Sequence, residues 1–101
     1  MQKVVCSVSR RNGNGKCSGF GYLSENNLFF PAMSSTGKPY IRVIEDISSC
    51  RKRGNNEFAG YVTQMYENVD VHTKDKVRDH DRYERIDCLE IEYYVWFKYV
   101  D

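Results

Sequence analysis

Hydrophobic and polar positions along this chain alternate with a period of two in every readable segment, the pattern of strands with one buried face. In Lys3-Val4-Val5-Cys6-Ser7-Val8-Ser9, the residues Val4, Cys6 and Val8 fall on one side and Lys3, Ser7 and Ser9 on the other, with Val5 the exception. Arg10 and Arg11 lead into Asn12-Gly13-Asn14-Gly15, where Asn-Gly occurs twice and supplies the positive φ angles of a tight hairpin turn. The chain therefore reverses and returns over 16–24. On that returning strand Phe20 and Tyr22 share a face, while Gly19 and Gly21 leave the opposite face bare, as at a bend, a bulge or a close approach. Glu25-Asn26-Asn27 forms the next turn, and Leu28 to Phe30 a third strand closed by Pro31.

Further on, Ser34 to Pro39 is turn-rich and Tyr40-Ile41-Arg42-Val43-Ile44 alternates as a strand, followed over 45–50 by a short helical turn. Tyr61, Thr63, Met65, Val69 and Val71 share one parity across a break at Glu67-Asn68, which predicts a bulged strand or a hairpin. Leu89, Ile91, Tyr93, Val95, Phe97 and Tyr99 form an unbroken face that belongs in the core. Its reverse carries Tyr94 and Trp96, either covered by another element or open to a partner. Residues 72–85 are dense in charge and predict an exposed loop or short helix. The fold class that follows is mainly β: a small antiparallel barrel or strongly bent sheet of five to six strands, with at most one short helix.

A chain of 101 residues is read as a single domain over 1–101 with one modest core. The opening residues lack a signal-peptide core, and the most apolar stretch, 93–100, is too short to span a membrane and is interrupted by Lys98. A cytoplasmic protein is expected, without membrane partner or cofactor. Cysteines at 6, 17, 50 and 88 have none of the spacings of a zinc site, and reduced thiols packed as small apolar residues are expected. Cys6 and Cys17 flank the first hairpin turn and come near one another across its strands.

The net charge of +1 conceals a division: residues 1–56 hold nine Lys and Arg against three acids, a net of +6, and residues 57–101 hold six against eleven, a net of −5. The aromatic pair Phe20 and Tyr22 lies in the basic half. Arg10, Arg11 and Lys16 surround the first turn, and Arg51-Lys52-Arg53 forms a second cluster. Cations around exposed rings suit a strand of unpaired nucleotides, because phosphates are neutralised while bases stack.

Gly19-Phe20-Gly21-Tyr22-Leu23 resembles the first RNA-binding motif of cold-shock domains, and Leu28-Phe29-Phe30 followed by Met33-Ser34-Ser35 resembles the second. The resemblance covers roughly residues 3–35. It implies an OB-type barrel binding single strands, with Phe20, Tyr22 and Phe29 as base-stacking rings. Two departures stand in this chain: the stacking Trp that the family carries just before its first motif is absent, and Pro31 occupies the place of a His.

Single-stranded RNA or DNA binding through Arg10, Arg11, Lys16, Phe20, Tyr22, Phe29, Arg51, Lys52 and Arg53 is the function these residues suggest. The alternative is a small virus- or phage-encoded protein that inhibits a host protein through its acidic C-terminal half, with Tyr94 and Trp96 at the interface. Enzyme chemistry finds little footing. Asp79-His80-Asp81 does not converge on a metal, since neighbours on a strand point to opposite faces. Asp87, Glu90 and Glu92 lack the Lys that completes a nuclease site, and a ribonuclease using His80, Arg82 and Arg85 has no fixed nucleophile or partner base.

Overall fold

The computed structural model describes residues 1–13, 15–75 and 80–100, with backbone alone over 71–75 and 80–82. Seven strands form one antiparallel sheet: β1 (Gln2–Arg10), β2 (Lys16–Ser24), β3 (Asn27–Met33), β4 (Pro39–Ile44), β5 (Arg51–Gly54), β6 (Glu57–Asp75) and β7 (His80–Tyr99), in the order β4-β3-β2-β1-β7-β6-β5. A single 3₁₀ turn, Ile47–Ser49, links β4 to β5 and is begun by Asp46, whose side chain accepts from the Ser48 amide. The expected five to six strands thus become seven, and the two outer strands β4 and β5 do not pair with each other. The strand missed from sequence is β5, whose Arg51-Lys52-Arg53 reads as a charged loop and is held in the sheet by pairing with Ala59 and Phe58.

Among the described side chains, the buried apolar residues all lie on one face. Val4, Cys6 and Val8 of β1 stand opposite Tyr99, Phe97 and Val95 of β7, and Leu28, Phe30, Ile44, Ile47 and Val62 complete the same cluster. A lone sheet can cover such a face only by curling over it, and two glycines of β2 allow the curl. Gly19 has a φ of 153°, a backbone state that side chains disfavour. At Gly21, a Cβ would sit 2.5 Å from the Phe29 carbonyl oxygen and 3.1 Å from Cys6 Sγ. There β3 crosses closest, and beyond it the two strands part: the β2–β3 ladder ends at Tyr22↔Phe29.

Pro31, expected to close β3, instead lies inside it opposite Ile41. The Ser34 amide donates to the Lys38 carbonyl, which fixes Ser34 and Lys38 as a hydrogen-bonded pair and makes the alternate pair Pro31↔Ile41 a non-bonded one. The missing N–H of Pro31 therefore points to the side where β2 has already left.

The curled sheet is tied shut by side chains rather than by a ladder. Gln64, buried on β6, donates from Nε2 to the Glu45 carbonyl at 2.8 Å and accepts at Oε1 from the Glu45 amide at 2.9 Å. The Ile47 amide donates to the Asn26 carbonyl, and Ser49 Oγ to the Tyr61 carbonyl. From β4, Arg42 crosses the interior to the Tyr93 hydroxyl at 3.1 Å and lies over the rings of Phe30 and Tyr93. Burial works to lower the Arg42 pKa, yet the phenols of Tyr93, Tyr40 and Tyr66 together hold it above its ordinary value.

One sequence expectation changes along β6 and β7. The segment 72–85 is not a loop or helix over its described part: β6 and β7 stay paired from Glu57↔Lys98 to Asp75↔His80, in one register, with Asn68 at a φ of 53° as a local irregularity. Beyond β1 and β5 this hairpin continues as a two-stranded arm, which explains extents of 54 × 27 × 21 Å and a radius of gyration of 15.9 Å, against about 13 Å for a compact chain of this length. The parity shared by Tyr61 and Met65 is the exposed one, while Val62 and Gln64 are buried, because the register with β7 sets Val62 against Tyr93 in the core.

Cys6 and Cys17 lie diagonally across β1 and β2, both as free thiols. Burial pushes the Cys6 thiol up to about 11, with the neighbouring Cys17 adding to the shift. An unfolded thiol ionises near 9.0, so the fold keeps its full stability below that pH and loses it as pH rises toward 11. Melting temperature should fall steeply across this window, and Cys6→Ala should flatten the fall; an unchanged slope would show that Cys6 is not shielded. Gly21→Ala should destabilise by on the order of 1–3 kcal/mol in denaturant titrations, because the β3 backbone must move aside. A neutral effect would remove the close crossing as a determinant of the curl.

Candidate functional site

The face turned away from the core carries the unusual chemistry. On β2, the residues paired with Lys3, Val5, Ser7 and Ser9 are Tyr22, Phe20, Ser18 and Lys16, all on this outer face. Across β1, Val5, Ser7 and Ser9 stand opposite Lys98, Trp96 and Tyr94 of β7, which in turn face Glu57, Ala59 and Tyr61 of β6. Phe29 of β3 lies beside Tyr22, and Val43 of β4 beside Phe29. One continuous surface therefore joins two groups of rings that sequence reasoning kept apart, Phe20, Tyr22 and Phe29 on one side and Tyr94 and Trp96 on the other.

Exposure differs between the two groups. Phe20 and Tyr22 are 56% and 45% exposed, and Phe29, Tyr94 and Trp96 are half-buried. Lys3 Nζ sits 4.7 Å from the Phe20 ring centre. Trp96 donates from Nε1 to Glu57 at 2.6 Å, and Tyr94 accepts at its hydroxyl from Arg53 and packs edge-on against Tyr61 at 5.3 Å. Between the two groups, Val5, Ser7 and Ser18 form a floor of short side chains. A shallow depression of about 320 Å³ lies over it, walled by Lys16, Arg53, Tyr94 and Trp96. Where β2 and β3 part, a second cleft of about 470 Å³ opens between Phe20, Tyr22, Phe29, Pro31 and Ile41.

The basic residues singled out in the sequence do not all join this surface. Arg11, Lys16 and Arg53 do: Arg11 lies over the Tyr61 ring at 5.1 Å and pairs with Glu92 at 2.9 Å. Arg51, opposite Ala59, shares the outer parity, and its Nη1 donates to the Ser48 carbonyl at 3.4 Å. Arg10 and Lys52 stand opposite Tyr93 and Phe58 and follow the inner parity at the margins of the sheet. Lys3, Lys98 and Tyr61 belong to the surface and were missed. Strand alternation shows which residues share a face within one strand, but only the inter-strand register shows which faces coincide.

Among the described residues, no group of three His, Cys, Asp or Glu side chains is placed to hold a metal ion. The Asp79-His80-Asp81 cluster lies outside the described side chains. Likewise, no helix among the described residues is long and apolar enough to cross a membrane. Comparison with protein-family models, with curated proteins and with solved structures gives no significant match.

Proposed function

We propose that the outer face of the sheet binds single-stranded RNA or DNA, its bases stacking on Phe20, Tyr22 and Phe29 and its phosphates lying against Lys3, Lys16, Arg53 and Lys98. The observation that carries this reading is the continuity of rings and cations across β3, β2, β1 and β7. A sheet face this rich in exposed rings gains nothing in stability from their exposure. An unpaired base offers each ring a stacking partner worth about 1–3 kcal/mol. The small residues between Phe20 and Trp96 leave a track in which a backbone can lie, with Lys16 and Arg53 at its margin. The cold-shock resemblance fits the same assignment, and Trp96 offers, from β7, the ring that this chain lacks ahead of Gly19. A curled sheet closed by side chains is also compatible with the small-barrel class that the resemblance implies.

The cytoplasmic setting expected from the sequence suits an RNA ligand. A second reading rests on a different feature. The arm formed by β6 and β7 exposes Glu67, Asp70, Glu84, Asp87 and Glu90, an acidic ribbon that would dock on a basic protein, as a viral or phage inhibitor of a host protein would. Tyr94 and Trp96, expected at that protein interface, lie on the outer face, so the two readings share these rings and separate by the arm, which only the second requires.

Fluorescence anisotropy with short single-stranded RNA and DNA at two salt concentrations tests the proposal. Phe20→Ala with Tyr22→Ala should weaken binding by on the order of 2–4 kcal/mol without unfolding the protein, both rings being exposed. Lys3→Gln with Lys16→Gln should lower affinity for every sequence alike and reduce the salt slope by about 1.4. Absence of binding by the native protein, or undiminished binding by both double variants, would refute the assignment.

A further inference from the structure

The two edges of the sheet are finished differently. β5 is four residues long, carries Arg51, Lys52 and Arg53, and breaks register between Lys52 and Gly54. Shortness, charge and a bulge are the usual means by which an edge is kept from pairing with another chain. β4 is six residues long, keeps one register with β3, and carries its one charge, Arg42, on the inner side, bonded to Tyr93 rather than projecting from the edge. Ile41 and Val43 are 68% and 38% exposed on its outer side, with Met33 of β3 exposed beside them.

The hydrogen-bonding groups of this edge can be assigned. Ser34 and Lys38 form a hydrogen-bonded pair, so alternation directs the amides and carbonyls of Tyr40, Arg42 and Ile44 toward β3 and those of Ile41, Val43 and Glu45 away from it. Glu45 is already engaged, both its backbone groups being bonded to the Gln64 side chain. Ile41 and Val43 present the remaining donors and acceptors, with the Pro39 carbonyl beyond them.

We propose that β4 pairs antiparallel with β4 of a second copy of this chain, about a two-fold axis at Ile41. The strand is self-complementary in this register. Ile41 exchanges both hydrogen bonds with its counterpart, and each Val43 amide donates to the opposite Pro39 carbonyl. On the outer side Ile41 meets Ile41 and Val43 meets Pro39. On the inner side each Arg42 faces a Tyr40 ring rather than a charge. Competing registers fail on the same chemistry. An axis at Arg42 sets two guanidinium groups directly opposite one another, and like charges in that position destabilise a sheet. An axis at Val43 requires the Glu45 groups that Gln64 already holds. The contact is isologous and closes on itself, so it yields a dimer rather than a fibre. The two outer faces then lie side by side in one fourteen-stranded sheet, whether or not that face binds nucleic acid.

Light scattering coupled to size exclusion, over a range of protein concentrations, tests the proposal. The native chain should approach twice its 11.9 kDa mass as concentration rises. Ile41→Pro removes an amide that β3 does not use, and Val43→Lys places a charge on the edge. Each should stay at monomer mass while keeping native circular dichroism and Trp96 emission. Should one of the two fail to fold, the other still decides the matter. Mild oxidation should cross-link Ile41→Cys across the axis well above the native background, and Val43→Cys far less. A native chain that is monomeric at every concentration, a dimer that survives both edge substitutions, or equal cross-linking at 41 and 43 would overturn the proposal.

Discussion

The pairing of the Gln64 side chain with both backbone groups of Glu45 is the constraint on which the rest of this structure depends. The sheet has one layer, and its inner face holds Val4, Val8, Phe30, Val95 and Phe97 with, among the described residues, no second sheet or long helix to cover them. Burial must come from curling, and a curled sheet leaves the far ends of β4 and β6 facing each other without a ladder. A primary amide reproduces, in one side chain, the donor and acceptor that a neighbouring strand would supply. Removing it would leave the part-buried Glu45 amide and carbonyl without these partners, at a cost of up to about 1–3 kcal/mol each. The glycines at 19 and 21 permit the curl, and Gln64 holds it.

The same constraint determines what is left outside. Because the core is satisfied entirely on one face, Phe20, Tyr22, Phe29, Tyr94 and Trp96 have no internal role beyond local contacts such as the Trp96 bond to Glu57. The basic N-terminal half and the aromatic reverse of β7, far apart in sequence, meet through the β1–β7 ladder. The residues of the proposed binding surface are therefore distributed over several strands, three of them (Lys16, Phe20 and Tyr22) on β2 and one or two on each of the others. The acidic residues of the second half sit mainly on the arm, away from this surface.

Much of the fold was legible in the sequence, and the limits have identifiable causes. The β1–β2 hairpin followed from period-two alternation, but its turn is not the tight positive-φ one that Asn-Gly suggests, since neither Asn12 nor Gly13 has a positive φ. The buried face of β7 followed from its unbroken row of apolar residues, of which Tyr93, Val95 and Phe97 are buried. Pro31 misled because a proline ends a strand only where its amide is needed, and that depends on where β2 leaves. The arm misled because its charged residues are those of a solvated loop, while its pairing is inherited from the register begun at Glu57↔Lys98. The shared parity of Tyr61 and Met65 does not say which side is buried, because Val62 and Gln64, one apolar and one polar, give no alternation to oppose them. The rings at 20, 22 and 29 were found from local pattern, whereas Lys3, Lys98 and Tyr61 became neighbours only through pairing that no local pattern reveals.

We propose the outer face of the curled sheet as a binding surface for single strands. Two-dimensional amide NMR during titration with a short single-stranded oligonucleotide tests it residue by residue. The largest shift changes should fall on Lys3, Ser7, Ser18, Phe20, Tyr22 and Phe29 and on the Trp96 indole N–H, leaving Val62, Gln64 and the β6–β7 arm nearly unmoved. Changes confined to the arm, or none at saturating oligonucleotide, would contradict it.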